Sequence, residues 1–268
     1  MSKYENLLSA SIGKKLIMAL TGLFLCLFLI VHLSGNFQLL KNDNGQAFNM
    51  YAHFMTHFTP IKVTSFLLYA TILIHAIYAV FLTLDNKKAR PVAYHVTAAS
   101  PDVKWSSRNM GILGSVLFLF IVIHMGNFWY KTHRDDYFGG MSMPWKEYKT
   151  DVETGRQISA RSLPAGDYQY VVFNEKGDDG KMVEVVRAKD LQAEVEATFS
   201  NPVYALFYVA AMLALAFHLY HGFASSFQTV GMDHKRYQPV IRFIGVWIFA
   251  VIIPLGFAAL PIVLYITR

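Results

Sequence analysis

Residues 16–40 read LIMALTGLFLCLFLIVHLSGNFQLL, and this stretch decides the fold. It contains no charged side chain, and residues 16–33 are apolar apart from Thr21, Gly22 and His32. A helix rises about 1.5 Å per residue, so roughly 20 apolar residues cross the hydrocarbon core of a bilayer. We therefore predict that residues 16–40 form a transmembrane helix.

Four further apolar runs of similar length follow in the chain. Together with the first they predict five spans, at roughly residues 16–40, 61–84, 110–130, 203–230 and 240–266. The fifth run contains Pro254 and Pro261, which kink a helix but are tolerated in membranes. The predicted fold class is an all-α membrane protein, built as a bundle of five transmembrane helices.

The composition of the whole chain agrees with a membrane protein. Of its 268 residues 54% are hydrophobic and only 16% are charged, whereas about a quarter of the residues of a soluble domain are charged. The single cysteine, Cys26, can neither close an intrachain disulfide nor hold an iron–sulfur cluster, which takes about four thiolates. These properties exclude a disordered chain, a secreted disulfide scaffold and a nucleic-acid-binding arm.

Lysine and arginine residues are concentrated at one end of the predicted spans. They precede the first span, lie between the second and third, and lie between the fourth and fifth: Lys3, Lys14, Lys15, Lys87, Lys88, Arg90, Lys104, Arg108, Lys235, Arg236 and Arg242. The loop between the first and second spans has almost none. By the positive-inside rule, the N-terminus is predicted to be cytoplasmic and the C-terminus to lie outside.

The same orientation places a long polar segment outside the membrane. The chain then divides into a cytoplasmic segment (residues 1–15), three spans (16–130), an extracytoplasmic insert (131–202) and two further spans (203–268). Within the insert, β-prone residues 168–174 and 181–187 flank a turn-prone stretch, which predicts a β-hairpin. Residues 189–199 are predicted to form a short amphipathic helix that leads back to the membrane.

Each of the first four predicted spans carries one histidine well inside its apolar run, at His32, His75, His124 and His218. Ionisable residues in a span are costly, so each is a functional hypothesis. His32 and His124 lie about 24 and 21 Å from the inner ends of their helices, and His75 and His218 about 20 and 22 Å from the outer ends. The histidines therefore form two pairs at different depths, roughly 10–15 Å apart.

Two histidine pairs at two depths are what two bis-histidine haems b would need. A porphyrin also needs small residues beside its ligands, and Gly35, Ala79 and Gly222 each follow a candidate ligand by one helical turn. His221 lies three residues after His218 and is an alternative ligand. We therefore predict an outer haem held by His32 and His124, and an inner haem held by His75 and His218.

Other interpretations of the histidines remain open. A histidine in a membrane helix is often only hydrogen-bonded to a neighbouring helix. A haem-free, proton-coupled transporter would also use histidines, although it would be expected to carry acidic residues in the centres of its spans, and these spans have none there. A zinc site is less favoured because it needs several closely spaced ligands.

Several motifs in the chain resemble those of a known family. They are SIGKKLIMALTG at residues 11–22, LIHAIYA at 73–79, IVIHM at 121–125, HLYHG at 218–222 and FQTVG at 227–231, together with His32. Over all five spans the chain resembles the single-chain, di-haem cytochrome b subunit (b558 type) that anchors bacterial succinate:quinone oxidoreductases, the succinate dehydrogenases and fumarate reductases. The insert is longer than is typical of that family.

The resemblance implies a ligand set, cofactors and partners. It pairs the first span with the third and the second with the fourth, as the depths do, and it favours His218 over His221 because Gly222 follows His218 by four residues. It implies two haems b, a membrane quinone (menaquinone), and docking to an iron–sulfur subunit and a flavoprotein subunit at the bacterial cytoplasmic membrane. The dicarboxylate chemistry would then belong to the partner subunits. Another quinone-linked anchor, of a hydrogenase or formate dehydrogenase, is the alternative.

Two further sites are predicted at opposite ends of the spans. A quinone site near the outer haem has as candidates Asn36, Gln38, His53, His57 and Trp129, although a helical face in the loop would also explain the i, i+4 spacing of His53 and His57. A competing site lies at the inner end, near Ser225, Ser226 and Gln228. Basic residues at the cytoplasmic face are candidates for haem propionates or subunit docking, or they serve topology alone: Lys14, Lys15, Arg90 and Arg108.

Overall fold

The structure, a computed structural model, describes residues 10–89, 105–133 and 143–267, apart from residues 165, 167 and 178. Most of the predicted cytoplasmic segment 1–15 and the candidate Arg90 lie outside the described residues. Within them, five helices are long and apolar enough to cross a membrane, and we call them spans 1 to 5: Ser11–Leu40, Thr59–Lys88, Met110–His133, Pro202–Thr229 and Gln238–Ile266. The prediction of five spans is therefore confirmed, with starts within a few residues of those expected.

Large apolar side chains point outward along all five spans. Phe66 in span 2 is 72% exposed and Leu206 in span 4 is 70% exposed, and Leu20, Ile112 and Leu255 expose similar surfaces on the other three. A soluble protein rarely exposes apolar surface on this scale. The chain is therefore a multi-pass membrane protein whose spans present this surface to lipid.

Three of the spans depart from regular α-helix. Span 1 is α-helical over Ser11–Asn36 and ends in a 3₁₀ turn, Phe37–Leu40. Spans 3 and 5 contain π-helical stretches, Met125–Tyr130 and Ile244–Ile252. In span 5 the wider turns directly precede Pro254, which has no N–H to donate to the carbonyl of Ala250 and whose ring would clash with that carbonyl in a regular helix.

The chain clusters into two compact units. The first unit comprises Met1–Leu33, Val63–Ile121 and Leu206–Ala259, and the second comprises Ser34–Lys62, Val122–Ala205 and Leu260–Arg268. Small side chains let helices of the first unit approach closely, because Ala211 of span 4 and Ala258 of span 5 share a buried cluster with Met212. At Gly245 of span 5, an added Cβ would lie only 2.8 Å from the ring of Phe223 in span 4.

The second unit contains an antiparallel sheet of four strands in the order β2-β1-β4-β3. Its strands are β1 (Trp145–Asp151), β2 (Gln157–Ser162), β3 (Val171–Lys176) and β4 (Met182–Lys189). The predicted hairpin corresponds to β3 and β4, which pair with Val172 opposite Val186. The prediction is confirmed for that hairpin but incomplete, because β1 and β2 were not expected.

Two short helices complete the second unit. The loop helix, Gln46–His57, lies between spans 1 and 2, in agreement with the helical spacing of His53 and His57. The return helix, Leu191–Phe199, confirms the predicted helix before span 4, and the Asp190 side chain caps it by accepting a hydrogen bond from the Ala193 N–H. Such a cap satisfies one of the free N–H groups of the first turn.

The carboxylate of Glu147 is buried within the sheet. Glu147 on β1 is 4% exposed and accepts hydrogen bonds from Arg187 Nε at 2.7 Å and Arg161 Nη2 at 3.1 Å. Burial alone would raise the pKa of Glu147, but the hydrogen bond and the charges of the two arginines outweigh burial and lower it. The carboxylate therefore stays ionised and ties β1 to both neighbouring strands.

Candidate functional site

Two of the four span histidines meet in the first unit. The imidazole rings of His75 in span 2 and His218 in span 4 have their centroids 6.3 Å apart, with their planes at 64°. A metal–imidazole bond is about 2 Å long and the ring centre lies about 1.2 Å beyond the nitrogen, so two imidazoles on opposite sides of one metal ion have centroids about 6 Å apart. The two planes are free to rotate about the bond axis, so the observed spacing and angle both fit a shared metal ion.

Thr21 of span 1 is the hydrogen-bond partner of His75. The Thr21 hydroxyl makes its shorter contact with the carbonyl oxygen of Ile17, at 2.6 Å, and Thr21 Oγ1 lies 2.9 Å from His75 Nδ1. With its hydrogen on Ile17, the hydroxyl oxygen accepts a hydrogen bond from the Nδ1–H tautomer of His75. The lone pair of His75 is then on Nε2, which is the arrangement of a histidine whose second nitrogen binds a metal.

Glycines flank both rings of the pair. A Cβ atom added at Gly22 in span 1 would lie 3.4 Å from His75 Cε1, and one added at Gly114 in span 3 would lie 4.0 Å from His218 Cε1. Side chains at these two positions would compete with any planar group bound between the histidines. Glycine at both positions keeps such side chains away from the pair.

The second ring nitrogen of His218 lacks a partner. Its Nδ1 atom is buried and makes no hydrogen bond with any described residue. A buried polar atom without a partner costs about 1–3 kcal/mol, so only a group that bonds this atom would offset that cost. The histidine pair and its apolar surroundings fit a haem held by two neutral imidazoles.

The predicted outer pair is divided between the two units. His32 belongs to the first unit, where its ring stacks on Phe28 at 5.1 Å and lies 5.5 Å from the ring of Phe257. His124 belongs to the second unit, where its ring meets Phe128 edge-to-face at 5.3 Å. The pairing of His32 with His124 therefore stays a prediction from depth and resemblance, and His221 stays an alternative ligand.

Two of the three small residues expected beside the ligands, Gly35 and Gly222, have other neighbours. Gly35 lies under the ring of Tyr51, because a Cβ there would clash with the Tyr51 ring, and Gly222 faces Met110 of span 3. Sequence reasoning missed Gly22, Gly114 and Thr21 as neighbours of the inner pair. Only the resemblance could have pointed to two of them, because residues 11–22 end in Thr21 and Gly22.

The candidates for an outer quinone site are spread over the second unit. The ring of His53 is stacked between His57, at 3.9 Å, and Tyr170, at 3.5 Å, so only its edge is open to a ligand. Trp129 is exposed and stacks on His133 at 4.8 Å. Asn36 and Gln38 are half-buried, and Gln38 Oε1 is a buried acceptor with no hydrogen-bond partner among the described residues.

The candidates at the other end have local partners. Ser226 Oγ donates to the Gly222 carbonyl at 2.9 Å, and Gln228 lines a small groove with Asp233 and Arg242. Lys14 forms an ion pair with Asp85 of span 2, at 2.7 Å. Of the basic candidates that the structure describes, Lys15 and Arg108 are exposed.

The fold and these contacts define a class, that of multi-pass helical membrane proteins with a membrane-buried histidine pair. Comparison of the chain with known protein families, with curated proteins and with solved structures finds no match.

Proposed function

We propose that this chain is the membrane-anchor cytochrome b subunit of a succinate:quinone oxidoreductase. It passes electrons between an iron–sulfur subunit and a membrane quinone through two bis-histidine haems b. The proposal rests on the His75–His218 pair, together with the sequence resemblance across all five spans.

The donor set around the pair favours haem over a bare metal ion. Among the described residues, no group of three or more His, Cys, Asp and Glu side chains gathers to hold a metal. A protein-bound zinc ion usually takes about four protein ligands, or three and a water. Two imidazoles would therefore need a metal that comes with further ligands of its own, as the iron of a haem would.

Each residue of the inner site has a role in this proposal. The haem supplies one-electron exchange, while the protein sets its position and potential. His75 and His218 would hold the iron, Thr21 would orient His75, and Gly22 and Gly114 would keep side chains away from the porphyrin. The apolar spans exclude water from the site.

Orientation and partners follow from charge and from the resemblance. The N-terminus is cytoplasmic, and the insert lies on the opposite side of the bacterial cytoplasmic membrane. The iron–sulfur and flavoprotein subunits dock on the cytoplasmic face, where the exposed Lys15 and Arg108 are available, and they carry out the dicarboxylate chemistry. The quinone, menaquinone by resemblance, would be bound at the outer end of the spans, where Gln38 is a candidate ligand.

A reduced-minus-oxidised spectrum of the purified protein tests the haem proposal. We expect a narrow b-type α band and two haems per chain, reduced by succinate when the partner subunits are bound. Haem that succinate does not reduce in the intact complex would indicate the anchor of a hydrogenase or formate dehydrogenase. Absence of the band would favour a haem-free, proton-coupled transporter.

The position of the quinone site is tested by a matched pair of variants. Gln38→Leu removes the buried acceptor at the outer end, and Gln228→Leu is the same substitution at the inner end. With haem content normal in both, we expect succinate-dependent quinone reduction to fall in the first variant only. The opposite result would place the site at the inner end.

A further inference from the structure

The insert binds the start of the loop helix through polar side chains. Gln157 Nε2 donates to the Asp43 carbonyl at 2.8 Å and to Gln46 Oε1 at 2.7 Å. Lys146 Nζ donates to the Asn44 carbonyl at 2.9 Å. Asn44 and Gly45 have positive φ angles of 55° and 90°, so the turn that begins the helix is held in an uncommon conformation by contacts from β1 and β2.

A buried asparagine continues this attachment along the loop helix. Asn49 is 1% exposed, and its Nδ2 donates to Tyr148 Oη at 2.7 Å and to Asp190 Oδ1 at 3.0 Å. Its Oδ1 accepts from the Gln192 N–H at 3.0 Å. One side chain therefore joins the loop helix to the sheet and to the return helix.

A stacked aromatic contact extends the same face of the loop helix. His53 follows Asn49 by four residues, and its ring stacks on Tyr170 of the insert with the planes 6° apart. Burial lowers the pKa of His53 to about 4, and the charges of His57 and Lys189 act in the same direction. The His53 ring is therefore neutral at ordinary pH, so stacking it on Tyr170 does not require a charge to be removed from water.

The opposite face of the loop helix contacts span 1. Residue 51 lies about 200° around the helix from residue 49, at 3.6 residues per turn. The ring of Tyr51 covers Gly35 so closely that a Cβ there would clash with the Tyr51 ring. Gly35 follows His32 by one turn of the same helix. The loop helix therefore lies between the insert and the last turn of span 1.

We infer that the insert is a positioning element for the outer haem: it holds the loop helix against span 1, one turn beyond the ligand His32. The inference rests on the proposed function. The insert contributes no ligand in this role. The insert keeps the ring of Tyr51 packed on Gly35, and this contact excludes water from the end of the helix that carries His32.

Two variants disturb this arrangement at opposite faces of the loop helix. Gly35→Ala adds a Cβ where Tyr51 now lies, so Tyr51 must move. Tyr148→Phe removes only the oxygen that Asn49 binds. Water admitted near a haem favours the charged ferric state, so we expect the reduced-to-oxidised ratio of the outer haem at a fixed potential to fall by about threefold or more.

The matched control is the next residue on the same strand. Lys149 lies beside Tyr148 on the other face of β1, where it pairs with Glu175 at 2.6 Å. Lys149→Gln should change neither haem. Redox titration of the full chain in membranes gives the potentials, and His32→Ala and His75→Ala identify the spectral features of the outer and inner haems.

The outcomes separate this inference from the proposed function. A shift of the outer haem alone in Gly35→Ala and Tyr148→Phe supports the inference. Two haems that both stay unchanged, while limited proteolysis shows a loosened insert, would overturn it and leave the proposed function standing. Equal shifts of both haems would also overturn it, because they indicate general loosening. A wild-type protein without haem would overturn both.

Discussion

Replacing Thr21 with valine gives the sharpest test of the inner site. Valine has nearly the shape of threonine but no hydroxyl, so packing around span 1 should be preserved. The change removes the acceptor of the His75 Nδ1–H, which lies 2.9 Å from Thr21 Oγ1. Every other described feature of the histidine pair is left in place.

The size of the effect follows from the hydrogen bond that is lost. A neutral hydrogen bond contributes about 0.5–1.5 kcal/mol net, and a buried donor without a partner costs about 1–3 kcal/mol. Donation from Nδ1–H makes an imidazole a stronger ligand, which favours the more positive ferric iron. If most of this hydrogen-bond energy stabilises the ferric state and not the ferrous state, its loss should raise the reduced-to-oxidised ratio of the inner haem by about two- to tenfold. A tenfold change in that ratio corresponds to about 59 mV for a one-electron couple.

Redox titration of the purified complex measures this shift. Thr21→Ser is the control, because it keeps the hydroxyl and should restore the wild-type potential. The outer haem should not respond in either variant. An unchanged inner-haem potential in Thr21→Val, with both haems retained, would refute the assigned hydrogen bond; a shift of the outer haem instead would refute the assignment of His75 to the inner one.

The remaining predictions concern a ligand, the cytoplasmic face and the insert. His218→Ala should remove the inner haem, and His221→Ala should leave both haems in place. Loss of haem only in His221→Ala would mean that His221, and not His218, is the ligand. Lys14 already pairs with Asp85, so Lys15 is the more available of the two for binding the soluble subunits. As salt is raised, Lys15→Gln should therefore weaken retention of those subunits more than Lys14→Gln does; equal retention in the two variants would mean that Lys15 serves only membrane topology. The lowered pKa of Glu147 implies stability that is present above its unfolded pKa and is lost as pH falls through the folded value. Proteolysis of the insert should therefore accelerate in acid, and Glu147→Gln should flatten that dependence; a profile that the substitution does not alter would contradict the ion-pair argument.

The spans could be predicted from the sequence because their signal is strong and local. A run of roughly 20 consecutive apolar residues is long enough to cross a bilayer and needs no distant partner to be recognised, and the structure bears out all five runs within the described residues. β1 and β2 were missed for the opposite reason. Their sequences, WKEYKTD and QISARS, are mostly polar, and each has only two apolar residues, which is too few for a clear strand pattern. They are held in place by pairing with β4 and by contacts to the loop helix, which are distant in sequence.

For the inner site, the depth of the two histidines along their helices could be predicted from the sequence, but the rotation of the helices about their own axes could not. Counting residues puts His75 and His218 at one level, yet it does not say whether their rings face each other. That depends on how spans 2 and 4 turn about their axes, which is set by packing along their whole length. Thr21 is 54 residues from His75 in the chain, so only the folded structure identifies it as a hydrogen-bond partner.

The contacts of the inner pair come from four spans and not from the fifth. Span 2 contributes His75, span 4 contributes His218, span 1 contributes Thr21 and Gly22, and span 3 brings Gly114 to His218. Four helices thus enclose one pair of rings. Span 5 instead packs on span 4, where Gly245 admits the ring of Phe223. A substitution at Gly245 should therefore reach the haem only by moving span 4, and Gly245→Ala should lower thermal stability before it changes the inner-haem potential. A shifted potential with unchanged stability would mean that span 5 takes a direct part in the site.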